Sequence, residues 1–226
     1  MNTTHTASPT AGTVAGAATY EDALFRKIAW RLLPILMLGY LAASIDRVNV
    51  GFAKLHMAQE LGFSDAVYGF GAGVFFLGYF LFEVPSSVIL HKVGARLWIA
   101  RIMATWGIIS ALTMFVSSPW QFYLVRFLLG VAEAGFIPGV IYYLTLWFPS
   151  QRRGRIMGVF YIALALAGFI GGPVSGLILQ TMQGVGGLAA WKWLFIIEAI
   201  PTVLIAVLVV TKLDNNVQSA KWLSPE

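Results

Sequence analysis

Residues 121–148, QFYLVRFLLGVAEAGFIPGVIYYLTLWF, are an apolar run of 28 residues broken by only two full charges, Arg126 and Glu133. About 20 residues of helix cross the ~30 Å hydrocarbon core of a bilayer, so a run of this length reads as a membrane-spanning helix. The two charges are seven residues apart, which puts them about 10 Å apart along the axis and nearly on one face. A charge at bilayer depth costs at least about 2.5–3.5 kcal/mol and therefore faces protein or a water-filled cavity. Such a pair marks a candidate functional site; the alternative is a buried ion-pair network that fixes helix packing.

The rest of the chain repeats the pattern. It is 58% hydrophobic and 11% charged over 226 residues, with mean hydropathy +0.78, more apolar surface than a water-soluble domain can hide. Six spans are expected, at roughly 29–51, 66–90, 98–117, 121–148, 156–179 and 193–211. They are about twice the length of a barrel strand and do not alternate, so the fold class is all-α. Residues 1–19 carry no Asp, Glu, Lys or Arg and are expected to be a disordered tail. Tyr20–Lys27 is expected as a short interfacial helix, residues 20–211 as the six-helix bundle, and residues 212–226 as the start of a cytoplasmic loop. Gly168, Gly172 and Gly176, at four-residue steps with Pro173 beside them, are expected to mark a helix contact and a bend.

Basic residues orient the bundle. With the N-terminus inside, one side holds Arg26, Lys27, Arg31, Lys92, Arg96, Arg101, Arg152, Arg153, Arg155, Lys212 and Lys221, and the other only Lys54 and Lys192. This asymmetry predicts both termini on the cytoplasmic side of the cell (inner) membrane. It also explains the net charge of +5 without a nucleic-acid partner. The chain has no cysteine, and its three histidines, His5, His56 and His91, lie outside the spans. Thiolate chemistry and a histidine-based metal centre within the spans are thereby excluded; no metal, no cofactor and no enzymatic activity are expected.

Within the first span, Asp46, Arg47 and Asn49 sit near its outer end. If that helix rises and the fourth descends, Asp46 and Arg126 both lie roughly 8 Å below the outer edge and Glu133 about 18 Å below it. Asp46 and Arg47 are 100° apart, so only one faces a cavity squarely. Two arginines beside two carboxylates suit an organic anion and a titratable partner, because a guanidinium fork binds a carboxylate bidentately. Tyr79, at mid-depth in the second span, is placed to donate a hydrogen bond to a substrate. Glu83 is expected to pair with a loop arginine, and Glu198 to reach the outer interface.

The segments IDRVNVGFA, FFLGYFLFEVPSSVILHKVGAR, RFLLGVAEAGFIPGVIYYLTLWFPSQRRGR and AKWLSPE together resemble the N-terminal half of a major facilitator superfamily transporter of the anion:cation symporter family, of the tartrate, phthalate and hydroxyphenylacetate permease type. The resemblance runs from about Arg31 to the end of the chain. It implies the first half of a twelve-helix fold, with a missing C-terminal six-helix half, a substrate site at the midplane between the halves, and spans one to three and four to six as inverted repeats. It also implies roles: Arg47, Arg126, Tyr79 and Asn49 in substrate binding, Asp46 and Glu133 in proton coupling. The sequence departs from the superfamily's G-x-x-x-D-R-x-G-R-R loop, reading SVILHKVGAR at 87–96, without the leading glycine or the aspartate.

The function expected is proton-coupled symport of a small organic anion across the membrane. The alternative is a non-transporting receptor or assembly subunit built on a truncated transporter. The side assignment is directly testable, since the cysteine-free background allows single cysteines at Ser118 and Ser150. An impermeant thiol reagent applied to intact cells should label position 118, and position 150 only after lysis; the reverse pattern would invert the topology.

Overall fold

The structure, a computed structural model, describes the backbone of residues 11–223 and the side chains of residues 20–223. Helix α1 spans Ala11–Leu61, α2 Asp65–Val93, α3 Ala95–Leu112, α4 Pro119–Glu133, α5 Phe136–Trp147, α6 Ser150–Thr181 and α7 Ala190–Lys212. Six helical segments are long and apolar enough to cross a membrane, with α4 and α5 together forming the fourth. Existence and order of the six expected spans therefore match, while the helices run well past the apolar runs.

The first helix shows this most. Tyr20–Lys27 is not a separate interfacial helix but part of α1. Of the expected disordered tail, residues 1–10 lie outside the described residues. Residues 11–19 are the first turns of α1, in a stretch rich in alanine, the strongest helix former. At its other end α1 continues through AKLHMAQEL to Leu61, ten residues beyond the apolar run. Polar residues with good helix propensity prolong a helix once it leaves the hydrocarbon.

In the bundle, α1 packs on α6 and α7, α2 on α4, and α3 on α7 and α4. One large core holds Leu32, Trp106, Phe136, Tyr143 and Phe160. A smaller one, towards the other end, holds Met57, Phe122, Trp191 and Phe195. The tightest crossing is α2 on α4. A Cβ on Gly130 would lie 2.1 Å from the Phe75 carbonyl oxygen, and one on Gly78 would lie 2.5 Å from that of Phe127. Only glycine permits backbones to meet this closely. The glycines expected to play that part, in α6, do not: nothing lies within 4 Å of a Cβ at Gly168 or Gly176, and Gly172 has only Phe52 at 3.8 Å. The buried stripe of α6 runs instead through Phe160, Ala163, Ala167, Gly171, Ser175 and Ile178. The helix also continues through Pro173.

The fourth span is broken where a single helix was expected. Pro138 has no N–H and its ring crowds the carbonyl four residues back, which is that of Ala134. Ala134 takes φ −55°, ψ 131°, and Gly135 turns left-handed at φ 85° before α5 starts. Glu133 is the last residue of α4. The break is braced from α2: a Cβ on Gly135 would fall 2.3 Å from Ser86 Oγ, and that hydroxyl accepts from Trp98 Nε1 at 3.0 Å.

The segment after α7, expected as a loop, folds back across the basic end of the bundle. Tyr143 donates to the Asp214 carbonyl at 2.6 Å. Arg96 donates to Asn215 Oδ1 from its backbone and to the Leu213 carbonyl from its side chain, each at 3.3 Å. Trp222 stacks on Trp147 at 5.9 Å, and the Arg31 guanidinium lies over its ring at 4.6 Å. Residues 224–226 lie outside the described residues.

The two glycine sets predict opposite outcomes. Gly130→Ala forces α2 and α4 apart and should cost about 1–3 kcal/mol, as overpacking does. Gly168→Ala meets open space in a helix interior and should be neutral or stabilise by up to about 1 kcal/mol. Thermal unfolding of the two purified variants in detergent checks this.

Candidate functional site

The α2–α4 contact seats two aromatic rings of α2, Phe75 and Tyr79, one turn apart on one face, and each carries an arginine. The Arg126 guanidinium lies 4.7 Å from the Phe75 ring centre, and that of Arg47 lies 5.3 Å from the Tyr79 ring centre. Cation–π contacts of this kind hold a guanidinium in place without using its N–H donors.

Arg47 Nε donates to Glu133 Oε1 at 2.7 Å. The expected depths place Asp46, the neighbour of Arg47, about 10 Å above Glu133, and the structure brings Arg47 level with Glu133 because α1 runs on as a helix past the apolar run. Arg47 lies fourteen residues before the end of α1 at Leu61, and Glu133 fourteen residues after the start of α4 at Pro119. Both are therefore about 21 Å from the same end of the bundle. Glu133 is fully buried, while the Arg47 side chain is 30% exposed. The pair thus has one enclosed member and one open to the exterior of the bundle.

Arg126, expected to bind substrate with a buried ion-pair network as the alternative, lies seven residues before Glu133. It is buried, but makes no ion pair among the described residues, and its Nε and Nη1 have no hydrogen-bond acceptor. Glu133 Oε2 is likewise buried without a donor. A buried charged donor left open is costly, and the cluster leaves open donors on Arg126 and an open acceptor on Glu133.

Asp46 points the other way from Arg47, as the 100° step requires. Its carboxylate accepts from Trp106 Nε1 at 2.8 Å, from Asn49 Nδ2 at 3.0 Å and from the Ser110 hydroxyl. Asn49, expected to face a substrate, is 1% exposed and turned to Asp46. Glu198 does not reach the outer interface. It lies eight residues into α7 on the face shared with Leu194, Thr202 and Ile205, and accepts from Ser175 Oγ at 2.7 Å. Glu83 makes no ion pair among the described residues; its carbonyl accepts from Ser87.

Trp106, Ser110 and Phe75 went unread in the sequence. Trp106 and Ser110 carry a legible signal, two donors at i, i+4 within an apolar span. Phe75 carries none, since one phenylalanine in FFLGYF looks like the next. Among the described residues no group of three or more His, Cys, Asp or Glu could hold a metal.

Trp106→Phe keeps the ring and deletes the donor to Asp46. Hydrogen bonds to charged groups contribute about 1.5–3 kcal/mol, so this variant should unfold at lower temperature by a corresponding margin. Phe at Trp98, whose partner is the neutral Ser86 hydroxyl, should cost less in the same melt.

The family model described as Major Facilitator Superfamily matches residues 36–226. A "putative metabolite transport protein NicT" of Pseudomonas putida is 60% identical over 204 residues, covering 90% of this chain and 47% of the relative. A "putative tartrate transporter" of Agrobacterium vitis is 53% identical over 206 residues, covering 91% and 46%. A solved bacterial homolog of the human lysosomal transporter Spinster, in an inward-facing and occupied conformation, aligns with TM-score 0.75 at 20% identity over 81% of this chain and 44% of that one. The chain spans about half the length of the curated relatives it matches. It is a multi-pass membrane protein with the six-helix fold of one transporter half, and it belongs to the Major Facilitator Superfamily.

Proposed function

We propose that this chain is the N-terminal half of a secondary transporter that takes up a small organic anion together with a proton across the cell inner membrane, both termini being cytoplasmic. The observation that carries the reading is Arg126, a buried guanidinium with two nitrogens, Nε and Nη1, unpartnered beside the half-open Arg47–Glu133 pair. A carboxylate fits such donors in geometry and charge. Relatives named for tartrate and metabolite transport are in keeping with that substrate class.

The four charges divide the work. Asp46, Arg47, Arg126 and Glu133 sum to zero when all are ionised. Asp46, expected to share the coupling role, has its oxygens occupied by three donors and serves as a fixed counter-charge. Glu133 has one oxygen free and one in a single ion pair, so it is the group that accepts the coupling proton. Protonated Glu133 leaves the cluster one unit positive, and Arg47 is freed to turn to the anion. By linkage, protonation then strengthens anion binding by the same factor that the anion strengthens protonation.

A second six-helix half completes the cavity. The spans that would meet it are α2 and α6, whose apolar windows are only 22% and 28% buried, against 44–56% for the other four.

The test needs the complete two-bundle transporter, reconstituted with a dicarboxylate such as tartrate as probe. Arg126→Ala should weaken binding at every pH by roughly ten- to over a hundredfold, the loss expected for about 1.5–3 kcal/mol. Glu133→Gln should still exchange substrate in counterflow but fail to accumulate it against a gradient under an imposed pH difference. Accumulation equal to the parent's would leave Glu133 a structural partner of Arg47 and remove the proton role.

A further inference from the structure

At the basic end of the bundle, a groove of about 820 Å³ lies between α1 and the start of α6. Its α1 wall is one helical stripe, Arg26, Trp30, Leu33 and Met37 with Ala29 and Pro34 beside it. Its α6 wall is another, Arg152, Arg155, Ile156 and Val159. The charged residues all lie at one end of the groove, with Phe25 and Phe148 among them, and the other apolar residues run inward from there. From Arg26 to Met37 the stripe is about 16 Å long. Trp30 stands 77% exposed along it. Asp22 bridges the rim to Arg152 at 2.6 Å, and the Arg152 guanidinium covers Phe25 at 4.7 Å. Among the described residues Arg26 and Arg155 have no ion pair, so the rim keeps two free positive charges.

We propose that this groove is a binding site for one anionic phospholipid, its headgroup on Arg26, Arg155 and the flank of Arg152, and an acyl chain along Trp30, Pro34 and Met37. A phospholipid has the same polarity profile as the groove, an anionic head followed by an apolar chain. Charge complementarity selects it over a zwitterionic lipid, which offers those arginines no net charge. It also disfavours a helix of a protein partner, whose apolar face would leave the rim arginines unpaired. Basic pockets between membrane helices act on headgroups by this chemistry, each arginine near the surface contributing about a fivefold preference. The Asp22–Arg152 bridge sets the strength of the site, because it withholds one of its three positive charges.

The complete two-bundle transporter, in which α6 also meets the second half, is tested in neutral detergent with equal amounts of phosphatidylglycerol and phosphatidylcholine of identical acyl chains, and bound lipid is counted by native mass spectrometry. The parent should retain phosphatidylglycerol in clear preference. The double variant Arg26→Gln/Arg155→Gln should lower that preference by about tenfold or more. Asp22→Asn, which releases Arg152, should raise it, a gain that no loss of folding can mimic. Ala29→Trp fills the groove at unchanged charge and should abolish the preference. Equal retention of the two lipids by the parent would overturn the proposal, leaving the groove to a protein segment. An Ala29→Trp variant with undiminished preference would overturn it in favour of diffuse surface attraction. Displacement of the lipid by soluble tartrate would overturn it in favour of an entry vestibule for soluble anions.

Discussion

The backbone contact between α2 and α4 is the constraint on which the polar site depends. In hydrocarbon there is no hydrophobic drive to bring two helices together, so close approach must come from packing small residues. Gly78 and Gly130 supply it, and a Cβ on Gly130 would also lie only 3.0 Å from the Tyr79 backbone nitrogen. The same turn of α2 carries Phe75 and Tyr79, and these rings hold Arg126 and Arg47. One steric condition thus fixes the positions of two arginines on two different helices. Neither needs an ion pair for placement, which is why the N–H groups of Arg126 stay open.

The break after Glu133 works with that contact. A continuous fourth helix would carry Glu133 in mid-span with its backbone bonded in the usual ladder. With Pro138 interrupting the ladder, α4 ends at Glu133 and the chain turns at Gly135 against Ser86. Irregular backbone at membrane depth persists only where it is buried in protein or lines a cavity. Here α2 buries it. A helix joint at the residue that pairs with Arg47 also gives the pair a way to shift without unpacking α4 from α2.

The sequence was legible where one physical quantity dominates. Apolar run length located all six spans, because the bilayer allows little else. Buried charge picked out Asp46, Arg47, Arg126 and Glu133, because each is too costly to be accidental. What it could not supply was pairing. Depths were counted from the ends of apolar runs, whereas α1 continues ten residues further, through a stretch that carries Lys54, His56, Gln59 and Glu60, and the shared depth of Arg47 and Glu133 was hidden by that. Glycine spacing also misled. Gly168, Gly172 and Gly176 have the regular step of a packing motif yet meet almost nothing within this chain, while Gly78 and Gly130 have no motif around them. Whether a glycine lies on a crossing depends on the partner helix, which a single sequence does not contain. The break was within reach, since Pro138 directly follows an apolar stretch with Gly135 three residues before it.

The two carboxylates of the site have the same chemistry and opposite surroundings, and in the proposed cycle that difference decides their roles. Asp46 is enclosed by donors from α1 and α3, an indole, a hydroxyl and an amide. Moving its charge would strand three donors at once. Glu133 has a single donor, and that donor belongs to Arg47, the one cationic side chain of the cluster open to the exterior. Neutralising Glu133 strands only Arg47, which can turn to an arriving anion instead. An anion on Arg47 and Arg126 then restores the balance that the proton removed. Coupling in this arrangement needs no long relay, because the residue that loses its charge and the residue that binds the substrate are already joined by one hydrogen bond.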